Sequence, residues 1–287
     1  MKIAPILAIQ GGAGKLSVLS RDRKIRKKLK QILSRAYEVL LETDAVTAVT
    51  EAVRLLENDT LFNAGTGSLL QEDGQARLSA SVMDGQTERF AAVLNLERIK
   101  NPVLVAASLL NEDSRVLAGD GAFAYARSLG LKPCDTRTRA SVTRWKKSRP
   151  ADLFEKGRGF DTVGAVALDR RGNLASATST GGRGLERPGR VSDSGMPVAN
   201  FADASAAVSA TGTGEEIIEE GLAIKIATRI RDKMSLKQAF QKTFREVREK
   251  NRRMGAIAVD TRGNVETATT TEVLLFAYQK NKSQVFY

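Results

Sequence analysis

Three short segments of the chain crowd threonine and serine against glycine: Thr178-Ser-Thr-Gly-Gly182, Gly189-Arg-Val-Ser-Asp-Ser194 and Ala210-Thr-Gly-Thr-Gly-Glu215. A hydroxyl attacks a carbonyl only when a neighbouring base takes its proton, and glycines beside it leave backbone N–H groups open to an oxyanion. The middle segment carries Arg190 and Asp193. An arginine fork suits a carboxylate and an aspartate suits an ammonium, so together they describe a polar pocket for a zwitterion. The base is the open question. The chain has no histidine, which excludes Ser-His-Asp and Cys-His machinery and any His-ligated zinc or iron. A base working near neutral pH must then be a carboxylate, a perturbed lysine or the α-amino group of a chain terminus. That last group has an ordinary pKa of about 7.7–8.0, well matched to the task.

Other chemistries fall away. Gly14-Lys15 resembles the end of a phosphate-binding loop, but Ile9 and Leu16 stand where it needs Gly and Ser or Thr. Gly212-Thr-Gly214 lacks the third glycine of a dinucleotide fingerprint, because position 217 is Ile217. The single cysteine, Cys134, excludes an internal disulfide and a multi-cysteine metal site, and makes a cytoplasmic protein the expectation. No apolar run approaches the roughly 20 residues of a membrane helix, and the opening stretch is too short for a secretory signal. Net charge is +12, with cations concentrated in Arg21 to Lys30 and in Arg137 to Arg158. In the first cluster Ile25, Leu29, Ile32, Leu33, Ala36, Val39 and Leu40 fall on one helical face. The cations therefore line the solvated face of a helix. Aromatic residues make up 5% and none interleave with the basic run, which disfavours nucleic-acid stacking.

These residues need a scaffold, and 287 residues allow one large α/β domain or two small ones. A buried strand ending at Gly14 precedes the basic helix, and Asp44 caps a second helix running from Ala45 to about Glu57. Leu78 to Met83 and Arg89 to Leu94 read as paired strands, Asn101-Pro102 opens a short helix, and Asp120 to Ser128 forms another. From Leu131 to Phe160 periodicity fails, which predicts a basic, mobile linker over 131–160. Then Thr162 to Asp169 is a buried strand, with a turn at Arg170 to Asn173 and a partner strand from Leu174. The pattern recurs 91 residues on: Gly164 to Thr180 aligns with Gly255 to Thr271. Two similar hairpins imply two equivalent places in stacked sheets. Between them lie a helix from Gly214 to about Lys233 and another opened by the capping box Ser235-x-x-Gln238. Strands in runs flanked by helices mean sheets covered on their outer faces.

Asp161-Thr-Val-Gly-Ala-Val-Ala-Leu-Asp169, Thr178-Ser-Thr-Gly-Gly182, Pro188-Gly-Arg-Val-Ser-Asp-Ser194 and Ala210-Thr-Gly-Thr-Gly-Glu215 resemble the plant-type L-asparaginase/isoaspartyl peptidase family of N-terminal-nucleophile hydrolases. Leu55-Leu-Glu-Asn-Asp-Thr-Leu-Phe-Asn-Ala-Gly65 and Val82-Met-Asp-Gly85 are similar to that family's amino-terminal half. The resemblance implies an α/β fold of αββα sandwich type, one domain over 1–287, made as a precursor. The precursor would cut itself at Asp161–Thr162 into an α subunit (1–161) and a β subunit (162–287). Thr162 Oγ would then be the nucleophile and its freed α-amine the base. Thr180 would sit beside it, and Thr211 Oγ with the Gly212 N–H would form the oxyanion hole. Arg190 would hold the substrate α-carboxylate and Asp193 its ammonium, with Gly214 lining the pocket. Main-chain carbonyls of Leu56, Glu57, Asp59, Phe62, Ala64 and Thr66 would hold a structural sodium ion, and the cleaved subunits would pair as a dimer of αβ heterodimers.

The implied activity is hydrolysis of the side-chain amide of L-asparagine or the isopeptide bond of β-aspartyl dipeptides, small molecules in either case. The chain departs from the family pattern at Gln10 (usually His), Ser192 (Gly), Gly195 (Pro), Val198 to Phe201 (a glycine-rich turn), and Arg77 and Ser79 (acidic). The changes from Ser192 to Phe201 border the pocket and bear on substrate preference. A glycosylasparaginase shares the Asp-Thr cleavage point and is the alternative within the class. A basic nucleic-acid-binding protein on a degenerate hydrolase scaffold is the alternative outside it.

Overall fold

The computed structural model describes residues 3–15, 19–148, 162–281 and 283–286. Its first strand, β1 (Ile6–Gly14), is buried on both faces. Leu7 and Ile9 turn to one side and Ile6 and Ala8 to the other. Such a strand must lie between two covered layers.

β1 sits inside an eight-stranded sheet ordered β12-β11-β1-β5-β6-β2-β3-β4. The other members are β2 (Leu78–Asp84), β3 (Arg89–Leu96), β4 (Val116–Ala118), β5 (Val163–Leu168), β6 (Leu174–Thr180), β11 (Val273–Lys280) and β12 (Ser283–Phe286). Every pairing is antiparallel except β3 with β4. A second sheet, β10-β9-β8-β7, contains β7 (Asn200–Ala202), β8 (Ala206–Gly212), β9 (Met254–Asp260) and β10 (Val265–Thr269).

Three apolar clusters hold four layers together. The first joins Leu7, Ile9, Val163, Ala165 and Ala167 of the large sheet to α1 (Leu19–Glu42), α2 (Ala45–Glu57), α3 (Pro102–Ser108) and α4 (Gly119–Ser128). The cationic side of α1 faces water while Ile25, Leu29, Leu33, Ala36 and Leu40 are buried, and Asp44 caps α2 by accepting from Thr47 N at 2.8 Å. The third-layer cluster packs Val208, Ala210, Ala256 and Ala258 against α7 (Leu222–Arg231) and α8 (Leu236–Glu249). Between the sheets lie Ile6, Ala8, Val166, Leu168, Leu174, Ala207, Ile257 and Val259. The result is an αββα sandwich.

Two expectations need correction. The helix expected from Gly214 to Lys233 is two helices, α6 (Gly214–Glu220) and α7, separated by Gly221 at φ +59°. That left-handed residue reorients the chain where apolar periodicity alone would continue it. Part of the expected linker is also ordered: α5 (Arg139–Lys147) is fastened by a reciprocal capping box between Thr138 and Ser141. Residues 149–160 and Asp161 lie outside the described residues.

Candidate active site

The layer between the sheets changes character along its length. On β5 the inward residues run Leu168, Val166, Gly164, Thr162, and on β6 they run Leu174, Ser176, Thr178, Thr180. On β8 they run Ala207, Ser209, Thr211. Each series starts apolar at the turn end and finishes polar at the other, because alternation sends every second residue to the same face. Thr178 Oγ and Ser209 Oγ meet across the layer at 3.2 Å. A Cβ on Gly164 would stand 2.0 Å from Ser209 Oγ, so glycine is what lets the sheets approach there.

The three threonines close this polar end. The β5–β6 register pairs Val163 with Ser179, which sets Thr162 opposite Thr180. Thr162 is buried, and its Oγ lies 3.4 Å from Ser194 Oγ. Thr180 Oγ accepts from the Gly182 N–H at 3.2 Å. That loop is pinned by Asn63, whose carbonyl accepts from Gly181 N at 2.9 Å and whose amide donates to the Gly182 carbonyl. Thr211 Oγ is buried and, among the described residues, has no hydrogen-bond partner. Gly212, at φ +140°, ends β8 where a Cβ would run into the backbone of Arg253 and Met254.

Arg190 and Asp193 converge on Gly214. A Cβ there would be 2.7 Å from Asp193 Oδ1 and 2.8 Å from an Arg190 Nη, so a side chain at 214 would fill the space between a cation and an anion. Ser192 Oγ donates to Asp193 Oδ1 at 2.9 Å, while Asp193 Oδ2 is buried without a partner among the described residues. Burial pushes the Asp193 carboxyl up to about 6, against the Ser192 hydroxyl and the Arg190 charge that favour its ionised form. Gly195 fits because any side chain would collide with Leu94, 2.0 Å from its Cβ position. Arg190 itself does not stand free: Nε and Nη2 each donate to Glu215 at 3.0 Å.

Spacing does not single out Ser194 as a neighbour of Thr162. Its backbone carbonyl accepts from Ser81 Oγ at 2.7 Å, and Ser81 Oγ accepts from Asn200 Nδ2 at 2.9 Å. Ser81 and Asn200 thus brace the residue that touches Thr162. Gln10, the departure at the amino-terminal strand, accepts from Gly12 N at 2.7 Å through Oε1 and leaves Nε2 buried beside Gly164. Arg77 bonds Glu97 at 2.7 Å and Asp73 at 2.9 Å, and Ser79 Oγ accepts from Asn95 N at 3.3 Å. Both serve the scaffold.

The loop from Leu56 to Thr66 lies behind β6. Glu57 is fully buried and its carboxylate accepts from Ser179 Oγ at 2.7 Å, Val103 N at 3.1 Å and Asn101 Nδ2 at 3.1 Å. Burial outweighs those donors and pushes its carboxyl up to about 8. Gly65 and Gly67 make a cradle of carbonyls: a Cβ on Gly65 would be 2.5 Å from Glu57 O, and one on Gly67 would be 1.8 Å from Phe62 O and 3.2 Å from Asp59 O. Thr66 Oγ is buried without a partner among the described residues, and the Leu56 and Ala64 carbonyls each accept one backbone N–H. Cavities of about 280 Å³ beside Arg98 and Cys134 and about 430 Å³ beside Lys237 and Lys280 lie elsewhere. Among the described residues there is no cluster of acidic, cysteine or histidine side chains able to hold a metal, and no helix long and apolar enough to cross a membrane.

Comparison with known proteins agrees with this geometry. A model of the asparaginase family matches residues 3–286. An isoaspartyl peptidase/L-asparaginase of Synechocystis sp. is 43% identical over 289 residues, covering 96% of this chain and 88% of that protein. A protein of the same name from Nostoc sp. is 41% identical, covering 96% and 92%. A plant-type L-asparaginase of Pyrobaculum calidifontis is 34% identical, covering 96% of each. Full-length coverage at these identities, on a sandwich with threonines at its polar end, means that the chain belongs to the asparaginase family of hydrolases.

Proposed function

We propose that the protein is a threonine amidohydrolase that matures by cutting its own Asp161–Thr162 bond and then hydrolyses L-asparagine and β-aspartyl dipeptides. The observation that carries this reading is the convergence of Asp193 and Arg190 on Gly214, where a Cβ would stand 2.7 Å from Asp193 Oδ1 and 2.8 Å from an Arg190 Nη, so that glycine is what leaves both groups uncovered. A substrate bound against Gly214 would give its ammonium to Asp193 Oδ2, which has no partner among the described residues, and its carboxylate to Arg190. Its side-chain carbonyl would then be the group left to meet Thr162. The names of the relatives support both substrate classes, since one pairs isoaspartyl peptidase with L-asparaginase and another is a plant-type L-asparaginase.

The chemistry follows from the groups present. In maturation Thr162 Oγ attacks the Asp161 carbonyl, and water resolves the ester to free the Thr162 α-amine. In turnover that amine takes the Thr162 hydroxyl proton as Oγ attacks the substrate amide carbon. Thr211 Oγ, which has no partner among the described residues, and the Gly212 N–H stabilise the oxyanion. The C–N bond breaks, the leaving nitrogen takes the proton, and water hydrolyses the acyl ester. Thr180, opposite Thr162, tunes the nucleophile. The cradle of Leu56, Glu57, Asp59, Phe62, Ala64 and Thr66 fits a hard cation held by oxygen, and sodium there would stiffen the wall behind β6. The same reading has the subunits 1–161 and 162–287 pairing as a dimer of heterodimers. It places the enzyme in the cytoplasm, in keeping with a single cysteine.

Intact mass spectrometry and one pair of substrates test it. Purified protein should resolve into chains of residues 1–161 and 162–287 and should hydrolyse L-asparagine. N-acetyl-L-asparagine, which lacks the ammonium, should lose at least about 1.5–3 kcal/mol of transition-state stabilisation. An uncut chain, or equal hydrolysis of the two compounds, would overturn the reading.

A further inference from the structure

The Arg190 guanidinium is already engaged in this structure. Glu215 accepts from its Nε and from one Nη, both at 3.0 Å, so the carboxylate lies bidentate along one edge of the fork. A guanidinium has five donors, and this pairing uses two. The remaining three are the second Nη2 hydrogen and the two on Nη1, and Nη2 is the nitrogen that lies against Gly214, 2.8 Å from its Cβ position. One edge is therefore held by the protein, and the hydrogens left on the fork are the ones a carboxylate beside Gly214 would take.

The surroundings decide whether Glu215 competes with a substrate carboxylate or orients its receptor. Glu215 is the second residue of α6, and its side chain is 46% exposed while that of Arg190 is 15% exposed. Solvent therefore screens the carboxylate more than the guanidinium. Arg183 Nη1, 3.7 Å from Glu215 Oε2, offsets its charge further. What Glu215 does not lose to screening is geometry. Two parallel N–H···O bonds fix the plane of a side chain that is otherwise rich in rotamers, so the ordering cost is met before substrate arrives.

We propose that Glu215 is a positioning residue: by holding one edge of Arg190 it aims the other at the substrate α-carboxylate, and so it sets the requirement that this carboxylate be free. The proposal rests on the zwitterion reading of the pocket given above. It assigns the selectivity for the carboxylate to a residue that does not touch the substrate.

The test compares Glu215→Ala and Glu215→Gln with the parent enzyme on L-asparagine and on L-asparagine α-amide, which keeps the ammonium and the side-chain amide but has no α-carboxylate. Glu215→Ala should raise KM for asparagine about tenfold while kcat stays within about threefold. It should leave kcat/KM for the α-amide nearly unchanged, so discrimination between the two collapses. Glu215→Gln, which keeps one acceptor oxygen and the shape of the side chain, should fall between. Where the α-amide turns over too slowly, its inhibition constant against asparagine takes the place of kcat/KM. An unchanged or lowered KM for asparagine overturns the proposal, as does an equal loss on both compounds. Failure of the parent enzyme to hydrolyse asparagine would instead sink the reading beneath it.

Discussion

The β5–β6 and β9–β10 hairpins are two versions of one structure, 91 residues apart and in opposite sheets. Their turns share the same hydrogen bonds. Asp169 Oδ1 accepts from Arg171 N and Asn173 N, and Asp260 Oδ1 accepts from Arg262 N and Asn264 N. Gly172 and Gly263 both have positive φ. Their inward residues correspond too: Gly164, Val166 and Leu168 of one hairpin and Gly255, Ile257 and Val259 of the other all point into the middle layer. The surroundings differ. β6 lies between β5 and β2, whereas β10 is the edge of its sheet and is half-buried throughout. At the position equivalent to Thr162, the second hairpin has Arg253, whose amide donates to Glu216 at 2.6 Å and whose carbonyl accepts from Thr213 at 2.9 Å. Both peptide groups are committed to structure. Under the proposed function, chemistry attaches to the hairpin that is enclosed and whose entering residue is a hydroxyl, while its twin supplies a wall.

The widest separation between the twins is expected at their first residues. Thr162→Ala should remain one full-length chain by intact mass and lose activity by about 10⁴-fold or more, because in the proposed function the same oxygen serves self-cleavage and turnover. Arg253→Ala removes an exposed side chain and leaves the backbone bonds in place, so it should cut normally and retain activity within about twofold. Normal cleavage in Thr162→Ala would show that the two hairpins do not differ in the way described.

Packing should separate them next. A Cβ on Gly164 would meet Ser209 Oγ at 2.0 Å, Gln10 Nε2 at 3.0 Å and the Ala177 carbonyl at 3.1 Å. Gly164→Ala should cost about 3 kcal/mol in urea unfolding, since strand backbone cannot yield between two sheets. Gly255→Ala places its methyl 3.3 Å from Ala13, Leu274 and the Ala268 carbonyl, in the sheet whose edge is open. It should cost less than about 1 kcal/mol. Equal costs would mean that the middle layer is packed alike at both hairpins.

Much of this was legible in the sequence, and the failures have physical causes. Apolar runs bounded by turn residues identified β2, β3 and the paired hairpins, and Asp44 and Ser235 marked helix starts because their side chains accept from the first turn. The repeat implied two stacked sheets before any contact was known. α5 was missed because it has no apolar stripe: Ser141 is its buried residue, and Trp145 instead lies over Gly74, 3.0 Å from that Cβ position. Arg190 and Asp193 stand out as partners for a carboxylate and an ammonium before any resemblance is drawn, and Thr162, Thr180 and Thr211 were named from family resemblance. Ser194 and Glu215 were not, since a contact across the sandwich and an ion pair over 25 residues leave no spacing to read.

The smallest expected difference concerns how each hairpin's last hydroxyls are satisfied. Thr270 bonds its own neighbourhood, donating to the Arg252 carbonyl at 2.6 Å and accepting from Met254 N at 3.0 Å. Its counterpart Ser179 donates instead to Glu57 of α2 at 2.7 Å, which ties the β5–β6 hairpin to a buried ionisable group. Burial raises the Glu57 carboxyl from 4.5 to about 8 in the folded protein. The folded state then holds a proton that the unfolded chain has released, so stability from this group is full below about pH 4.5 and is lost as pH rises through 8. Glu57→Gln is permanently neutral and removes that slope. The difference in unfolding free energy, parent minus variant, should therefore fall by about 1–2 kcal/mol between pH 6.5 and pH 8. The corresponding change at the second hairpin, Thr270→Ser, keeps the hydroxyl and touches no titrating group, so its difference curve should stay flat. Parallel pH profiles for parent and Glu57→Gln would show that Glu57 is ionised throughout, with its three donors outweighing burial, and that both hairpins are held by pH-independent bonds.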